Sequence, residues 1–281
     1  MKRRKFKTLM KNPEATMYQK NSAIKGTQLL QRTFQIVELI ARHPKGLVLS
    51  EISQKTSLPI STVHRILSFL NHHDYIRNDK ETGFYYIGPK FALFSSIFVQ
   101  SFDFLKEIRP GLEIINKEFD ETVHLGILNS TRTGVVYIDK IESSRVVRMF
   151  SIVGQTVPIH CTALGKSLIA ALPDHEIEVI LENYRFKKYT ENTITTRLEF
   201  LEEIGKVRRL GYAVDNKEHE KNIICYGKSL HNPINPINKN FVAISISIPD
   251  YRFDKKDIDK IITSLDNAVN RFESKLAISR A

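Results

Sequence analysis

The chain has 281 residues and only two cysteines, which excludes a disulfide framework and fits a reducing compartment such as the cytoplasm. It has no run of about 18 apolar residues for a transmembrane helix, and no apolar stretch follows its basic start, so we expect neither a membrane partner nor a signal peptide. Its net charge of +11 is concentrated early: residues 1–25 carry eight Lys or Arg against one acid, and residues 26–100 carry eight against five. This asymmetry predicts a polyanion as the partner of the first hundred residues.

The first predicted elements are a basic arm, residues 1–25, and a helix over residues 27–43. We expect the arm to be disordered, and it either stays solvated or contacts phosphates. The helix ends where Pro44 and Gly46 follow. Its apolar spacing predicts a buried face made of Leu30, Phe34, Val37, Ile40 and Ala41.

Residues 46–88 have the pattern of a winged helix-turn-helix, which predicts a DNA-binding domain over residues 26–88. A short helix capped by Ser50 carries Ile52 inward, and Leu58-Pro59 marks the turn to a second helix. That helix has apolar residues at i, i+3, i+4 and i+7, which predicts a buried stripe of Val63, Ile66, Leu67 and Leu70. Its open face carries hydrogen-bonding side chains suited to base edges in a major groove: Ser61, Thr62, His64, Arg65, Ser68 and Asn71.

Two further segments complete the N-terminal part. A charged turn over residues 77–83 and the β-rich Phe84–Ile87 predict a two-stranded wing, with Arg77 and Lys80 as candidate DNA contacts. Residues 89–106 predict a linker helix with an aromatic seam made of Phe91, Phe94, Phe98 and Phe102, followed by Leu105. The seam packs either on its own domain or on a second subunit. We favour the second, because so aromatic a stripe needs more cover than a small domain offers.

Residues 107–281 predict an α+β domain. Strands are expected over residues 122–129, 134–142, 147–153 and 241–249, and helices over 113–119, 162–172, 174–183, 197–210 and 254–276. This order is typical of an antiparallel sheet with helices packed around it. The last strand alternates an apolar face with a hydroxyl-bearing face that includes Ser245 and Ser247. Thr162 opens a helix whose free N–H groups suit a carboxylate, and His124 is expected to be a hydrogen-bonded core residue.

Several blocks in the same order resemble the IclR family of bacterial transcription regulators, over residues of about 27 to 275. They are GLVLSEISQKTSLPISTVHRIL, ETVHLGILN, VVYIDKIES, RMFSIVGQTVPIHCTALGKSLIAALP, ENTIT, GYAVDNKEHE and VAISISIP. They look most like the KdgR-type members, which answer to sugar acids from pectin breakdown. The resemblance implies a winged helix-turn-helix, a linker helix and a GAF-like effector domain, assembled as a homodimer or homotetramer, and we expect no cofactor.

The resemblance also implies an effector pocket. Carried over by motif, its lining is Met149, Val157, Ala163, Leu164, Asp215, Ile223, Cys225, Ser245 and Ser247. The chain departs from the family after Cys225, where Tyr226-Gly227-Lys228 replaces a small-apolar-proline stretch, and a proline-rich hairpin follows over residues 231–236. Strand alternation puts Gly227 on the face of Cys225, so we expect a roomier pocket than is usual in the family.

An enzymatic alternative rests on a set of residues that could form a thiol nucleophile or a metal site: His160, Cys161, Asp215, Glu218, His219 and Cys225. Adjacent His160 and Cys161 point to opposite faces of an extended chain, and the CxxC or HxxxH pairs of zinc sites do not occur. We therefore expect no enzyme, no catalytic residue and no metal.

The sequence thus predicts a DNA-binding transcriptional regulator, a repressor of a sugar-acid catabolic operon. Its partners would be a double-stranded DNA operator and a small carboxylate effector, with a sugar acid favoured. Two alternatives stay open. The first is an activator of aromatic-acid catabolism, and the second, from another class, is a metabolite-binding enzyme with a vestigial DNA module.

Overall fold

The computed structural model describes residues 26–100, 103–231 and 241–278, and the chain divides into two units, residues 1–101 and 102–281. The predicted basic arm, the proline-rich hairpin and Phe102 of the predicted seam lie outside the described residues. None of the described helices is long and apolar enough to cross a membrane.

The first unit is a helix-turn-helix with a small sheet. Its elements are α1 (Gln28–Ala41), β1 (Leu47–Val48), α2 (Leu49–Thr56), α3 (Ile60–His72), β2 (Ile76–Asn78), β3 (Phe84–Ile87) and α4 (Lys90–Gln100). The predicted two-stranded wing is the antiparallel pair of β2 and β3, and β1 adds a third strand on the other edge of β3. β1 pairs with β3 through only two residues, which is too short for a sequence pattern.

The helix-turn-helix follows the prediction except at its first cap. α2 ends at Ser57 in the left-handed conformation (φ 57°), and the stripe predicted for α3 is fully buried. Ser50, however, lies inside α2 and does not cap it. The Glu51 carboxylate takes that place by accepting a hydrogen bond from the Val48 N–H at 3.1 Å. A glutamate at the third helical position is the partner expected for an exposed first N–H.

Of the face that α1 was predicted to bury, only Val37 and Ile40 are buried. Leu30 and Phe34 are 59% and 58% exposed, and the residues buried in the core of the unit are Ile36, Val37, Leu39 and Ile40. Ala41 is exposed as well. α1 has apolar residues on two faces, and the core of the unit covers only the apolar residues from Ile36 to Ile40.

The predicted linker helix, residues 89–106, covers α4 and the first residues of α5 (Asp103–Phe119), and residues 101 and 102 between them lie outside the described residues. α5 continues through Pro110. Ile108 and Leu112, on either side of the proline, are almost completely buried in the second unit. This burial offsets the hydrogen bond that a proline removes from a helix. Leu105, predicted to extend the seam, is buried in the same core.

The second unit is a six-stranded antiparallel sheet with helices on both faces. After α5 its elements are β4 (Thr122–Leu128), β5 (Gly134–Ile141), β6 (Thr156–Pro158), α6 (Ala163–Ala170), α7 (Asp174–Leu181), α8 (Arg197–Leu210), β7 (Ala213–Asn216), β8 (Ile223–His231), β9 (Phe241–Pro249) and α9 (Ile258–Ile278). The strand order is β6-β5-β4-β9-β8-β7. The α+β architecture is therefore as predicted.

The alternation of β9 decides what each face of the sheet holds. Val242, Ile244 and Ile246 pack in one core with α5 and α9. Ala243 belongs to a second core with α6, α7 and α8, and the side chains of Ser245 and Ser247 point to that same side. The hydroxyl-bearing face predicted from the sequence therefore lies under α6.

The strand predicted over residues 147–153 does not exist. This segment is irregular, and most of its apolar side chains are exposed, with Phe150 at 84%. Side chains hold its backbone instead: the Val147 carbonyl accepts from Arg252 Nη2 at 2.9 Å, and the Ser151 carbonyl accepts from Lys140 Nζ. The edge of β5 pairs with β6, a few residues later. β-rich composition alone therefore did not identify the pairing segment.

Candidate functional sites

The open face of α3 presents donors and acceptors to solvent. Ser61, His64, Arg65 and Ser68 are exposed, and Thr62 is half-buried. The Ser68 hydroxyl donates to the His64 carbonyl at 2.8 Å, which leaves its oxygen free to accept. An exposed helix face of this chemistry suits the edges of bases in a major groove.

Asn71 has a structural role instead. Its Oδ1 accepts from the Asn78 N–H at 2.9 Å, which fastens the end of α3 to the first strand of the wing. The predicted wing contacts are exposed: the Arg77 guanidinium lies over the Tyr86 ring at 4.8 Å, and Lys80 is at the turn. The Asp79 carboxylate closes that turn by accepting from the Glu81 N–H at 2.9 Å.

Sequence reasoning missed Ile60 on the same surface. It is the first residue of α3, is 55% exposed and stands one turn before His64. Its spacing of four residues from His64 and eight from Ser68 was the available signal. An exposed aliphatic side chain here suits contact with the methyl group of thymine.

α4 leaves an apolar surface uncovered in this single chain. Phe91 is half-buried and packs edge-on against Tyr75, with ring centroids 5.8 Å apart. The large apolar side chains of α4 that stay exposed are Leu93, Phe94, Ile97 and Phe98.

In the second unit, a buried polar cluster lies on the α6 side of the sheet. Cys225 pairs with Ser247 across β8 and β9, and with Asp215 across β7 and β8, so these three residues share one face. On the other side of β9, Ser245 pairs with His124 of β4. All five side chains are buried. The register thus brings together four residues of the predicted effector lining.

A hydrogen-bonded chain crosses this cluster. His124 Nε2 lies 2.8 Å from the Ser151 hydroxyl, and Nδ1 lies 3.4 Å from the Ser247 hydroxyl, which also accepts from Cys225 Sγ at 3.2 Å. Burial, and to a smaller extent the Lys140 charge, lower the pKa of His124 to about 3, so the ring is neutral. His124 is thus the hydrogen-bonded core residue that was predicted. The Ser245 hydroxyl has no hydrogen-bond partner among the described residues and is free for a ligand.

α6 begins beside this cluster. Its N-cap Thr162 accepts from the Gly165 N–H at 3.1 Å. In the described part of the chain, no acceptor is within hydrogen-bond distance of the N–H groups of Ala163 and Leu164. N–H groups at a helix N-terminus that have no acceptor are chemically suited to an anion.

The missing side chain of Gly227 does not open space on this face. A Cβ atom placed there would lie 2.9 Å from the carbonyl carbon of Ala163 and 3.0 Å from its Cβ. Gly227 does share the face of Cys225, as predicted. The space that it leaves is filled by the start of α6, so the expectation of a roomier pocket was wrong.

Asp215 is the ionisable group on this face. Its Oδ1 accepts from the Glu218 N–H at 2.7 Å and the His219 N–H at 3.4 Å. Burial, and then the charge of Glu218, raise the pKa of Asp215 to about 7. Near neutral pH this carboxyl therefore exists in both protonation states.

The other predicted lining residues lie further out. Val157, on β6, is buried with Leu164 in the core under α6. Ile223 is half-buried at the start of β8, and Met149 is half-buried in the irregular segment after β5. Sequence reasoning missed Tyr137, whose ring stacks on His124 with centroids 4.6 Å apart, and Ser151.

Sequence reasoning also missed a buried lysine on α6. Lys166 is 0% exposed, and its Nζ donates to Glu218 Oε1 and the Val214 carbonyl, both at 2.6 Å, and to Glu203 Oε1 at 3.3 Å. These bonds join α6 to β7 and to the turn that holds Asp215. One lysine inside the apolar run of α6 was the available signal, because a lysine is rarely buried without a partner.

The residues of the enzymatic alternative do not form a catalytic site. His160 uses both ring nitrogens, with Tyr184 Oη at 2.7 Å and the Lys187 carbonyl at 3.0 Å. Burial raises the pKa of the Cys161 and Cys225 thiols, which keeps both protonated. Across residues 26–100, 103–231 and 241–278, no group of three or more His, Cys, Asp or Glu side chains could hold a metal ion.

Both units match family models. The model described as "IclR helix-turn-helix domain" matches residues 29–80. The model described as "Bacterial transcriptional regulator IclR C-terminal" matches residues 97–273. Together these matches cover well over half of the chain.

Individual proteins agree. The chain is 32% identical to the HTH-type transcriptional regulator XynR of Escherichia coli over 254 residues, 90% of this chain and 96% of that protein. It is 28% identical to the transcriptional repressor IclR of E. coli over 222 residues, 79% of this chain and 80% of that protein. The crystal structure of the Thermotoga maritima IclR superposes with a TM-score of 0.73 at 29% identity, covering 88% of this chain and 98% of that one.

Proposed function

Since the chain belongs to the IclR family of bacterial transcriptional regulators, we propose that it is a repressor of a sugar-acid catabolic operon, controlled by a small carboxylate metabolite. Its relatives are named as regulators, so it is a DNA-binding regulator and not an enzyme. The observation that supports the effector part of the proposal is that the N-terminus of α6 and the buried hydroxyl-bearing face of β9 lie on the same side of the sheet. A regulator of chromosomal DNA acts in the cytoplasm, which its two unpaired cysteines fit.

Base reading is assigned to the open face of α3. Arg65 supplies a bidentate donor for guanine, and Ser61, Thr62, His64 and Ser68 supply shorter donors and acceptors. Arg77 and Lys80 on the wing contact phosphates, which adds affinity without sequence preference.

Substitution of Arg65 tests this assignment. Arg65→Ala is expected to weaken binding to a duplex that the protein selects from a random pool by about 1–3 kcal/mol, and to leave binding to a scrambled duplex nearly unchanged. Arg42→Ala is the matched control, because Arg42 is exposed at the end of α1 and pairs with Glu38. Equal losses on both duplexes would remove Arg65 from base reading.

Assembly as a homodimer is supported by the exposed apolar side chains of α4. A single wing domain reads few base pairs, so useful specificity needs two, about one helical turn (~34 Å) apart or a multiple of it. Pairing Phe94, Phe98 and their neighbours across two copies would also remove an apolar surface from water. A homotetramer would bring two such pairs together.

In the effector pocket, the ligand carboxylate binds the free N–H groups of Ala163 and Leu164. Ser245 then donates to the ligand, since its hydroxyl is uncommitted, whereas Ser247 is held by Cys225 and His124. Asp215 and the serines favour a polyhydroxylated acid over a bare aromatic acid, because ligand hydroxyls would satisfy these polar groups.

Titration calorimetry with 2-keto-3-deoxygluconate, pyruvate and benzoate tests the ligand class. Ser245→Ala should weaken sugar-acid binding by about tenfold, the effect of one hydrogen bond to a charged or polar ligand, and Ser245→Ala with Ser247→Ala should abolish it. Ser274→Ala is the control, since Ser274 is exposed on α9 and bonds only its own helix. Binding of benzoate alone would favour the alternative, an activator of aromatic-acid catabolism.

A further inference from the structure

The cluster behind the pocket has more carboxyl groups than cations. Lys166 is its buried cation, and it bonds Glu218 and Glu203. Glu203 is also paired with the exposed Lys206, whose Nζ lies 3.5 Å from Oε2. Asp215 is 3% exposed and forms no ion pair with any of the described residues. Among the described residues its hydrogen bonds come only from backbone N–H groups, and Lys166 acts on its charge without a direct contact.

Two carboxylate oxygens in this cluster are unused. Glu218 Oε2 is buried and has no hydrogen-bond partner. Asp215 Oδ2 accepts no hydrogen bond from the described residues, because both backbone bonds go to Oδ1. Only Glu218 Oε2 is a completely buried oxygen without a donor, so the cost of such an atom falls on Glu218. Asp215 Oδ2 is left open to a proton.

The groups that face Asp215 from the surrounding elements are mostly acidic or neutral. They are Glu218, His219 and Glu220 after β7, Lys166 of α6, Glu203 of α8 beyond Lys166, Cys161 before α6, Cys225 of β8 and Tyr137 of β5. Lys166, already shared by two glutamates, is the one cation in this set.

The bound carboxylate would lie close to this carboxyl. Gly227 of β8 lies against Ala163 at the start of α6 and pairs with Ala213 of β7. Two residues away on the same face, Cys225 of β8 pairs with Asp215 of β7. Two residues span about 7 Å in a β-strand. A ligand held at the start of α6 therefore brings a second negative charge to the buried face that holds Asp215, at a distance of roughly 7–10 Å.

We infer that the pocket takes up one proton together with its carboxylate ligand, and that Asp215 holds this proton in the complex. The inference rests on the proposed effector site. In the free protein Asp215 is ionised. The protein binds the ligand carboxylate together with one proton from solvent, and in the complex Asp215 is neutral while the ligand stays ionised. The Oδ2–H group of Asp215 can then donate a hydrogen bond, while Oδ1 keeps accepting from the two backbone N–H groups.

The electrostatics of the free protein support this step. Because burial and the neighbouring Glu218 raise the pKa of Asp215 to about 7, the carboxyl is poised to change its protonation near physiological pH. A further negative charge in the pocket raises that pKa again. His124 cannot take the proton, since burial keeps its ring neutral.

The test is calorimetry of the full-length protein with 2-keto-3-deoxygluconate and pyruvate, from pH 6 to pH 9, in buffers of different ionisation enthalpy. At pH 8 we expect the uptake to approach one proton, and well above the pKa of Asp215 we expect a Kd that rises by up to about tenfold per pH unit. Asp215→Asn should bind with no proton uptake and with a Kd independent of pH. Asp259→Asn, the same change at an exposed position of α9, should behave as the wild type.

A second variant guards against a merely structural effect. Glu218→Gln removes the charge that helps to raise the Asp215 pKa, so the rise in Kd should begin at lower pH. Tight binding with no proton uptake at pH 8 would overturn the inference and leave the effector site standing. No binding of either acid at pH 6, where Asp215 is protonated, would overturn the effector site and the inference with it.

Discussion

Replacing Lys166 by methionine tests how α6 is held at the pocket. The change keeps most of the buried volume and removes the ammonium that bonds Glu218 and Val214 at 2.6 Å. The Glu218 carboxylate, already with one unsatisfied oxygen, would then face the core without its cation. Removing one partner of a buried ion pair costs about 3–5 kcal/mol.

For a unit of this size, such a loss lowers the Tm by roughly 6–20 °C. Differential scanning calorimetry of the full-length protein at pH 7.5 measures it. Lys206→Met is the matched control: it removes the exposed lysine, 3.5 Å from the same Glu203 side chain, and should change stability by less than about 0.5 kcal/mol. Adding Glu218→Gln to Lys166→Met should restore part of the loss, since the uncompensated charge disappears. A Tm within 2 °C of the wild type, or a double variant less stable than Lys166→Met, would refute the reasoning.

Three further outcomes are expected. Phe94→Glu with Phe98→Glu should give monomers in light scattering, and a double variant that stays dimeric and DNA-bound would place the interface elsewhere. The pKa of Asp215 is raised to about 7 in the folded protein, against about 3.9 in the unfolded chain, so this group stabilises the fold fully below pH 4 and the stabilisation is lost as pH rises to 7. In urea unfolding, the stability of the wild type relative to Asp215→Asn should therefore fall by roughly 4 kcal/mol between pH 4 and pH 7. A difference that stays constant with pH would contradict this. Gly227→Ala should destabilise by about 1–3 kcal/mol in the same assay, because the new methyl group meets the backbone of Ala163 at 2.9 Å, and an unchanged midpoint would show that α6 yields.

Where the two faces of an element differ in chemistry, its period was readable from the sequence. α3 has a buried apolar stripe and an exposed polar face. β9 is buried on both faces, but large apolar residues alternate with small or hydroxyl-bearing ones, so the open face of α3 and the hydroxyl-bearing face of β9 were both predicted. The helix predicted over residues 197–210 is α8, and Gly211 ends it in the left-handed conformation (φ 77°).

The predictions were wrong where the residue types are compatible with more than one structure. α1 is apolar on two faces, and its sequence does not state which one its own core covers; Leu30 and Phe34 proved exposed. The apolar residues around Val147 suit a strand, but long-range side-chain bonds from Arg252 and Lys140 hold that backbone apart from the sheet.

The least predictable part of the site is the polar chemistry between distant segments. Lys166 and Glu218 are 52 residues apart and meet only when α6 packs across the end of β7. Ser151 reaches His124 from a segment predicted to be a strand. Neither contact could be predicted from a periodic pattern of residue types, because each depends on how segments that are distant in the sequence pack against the sheet.

The most direct test of the account is fluorescence anisotropy with a duplex that the protein selects from a random pool, with and without saturating 2-keto-3-deoxygluconate. Coupling of 1–3 kcal/mol between the sites predicts that the sugar acid weakens DNA binding by about 5–150-fold. Ser245→Ala with Ser247→Ala should bind the duplex normally and keep it in the presence of the acid. An affinity that no acid changes, or release that survives in the double serine variant, would contradict the central claim.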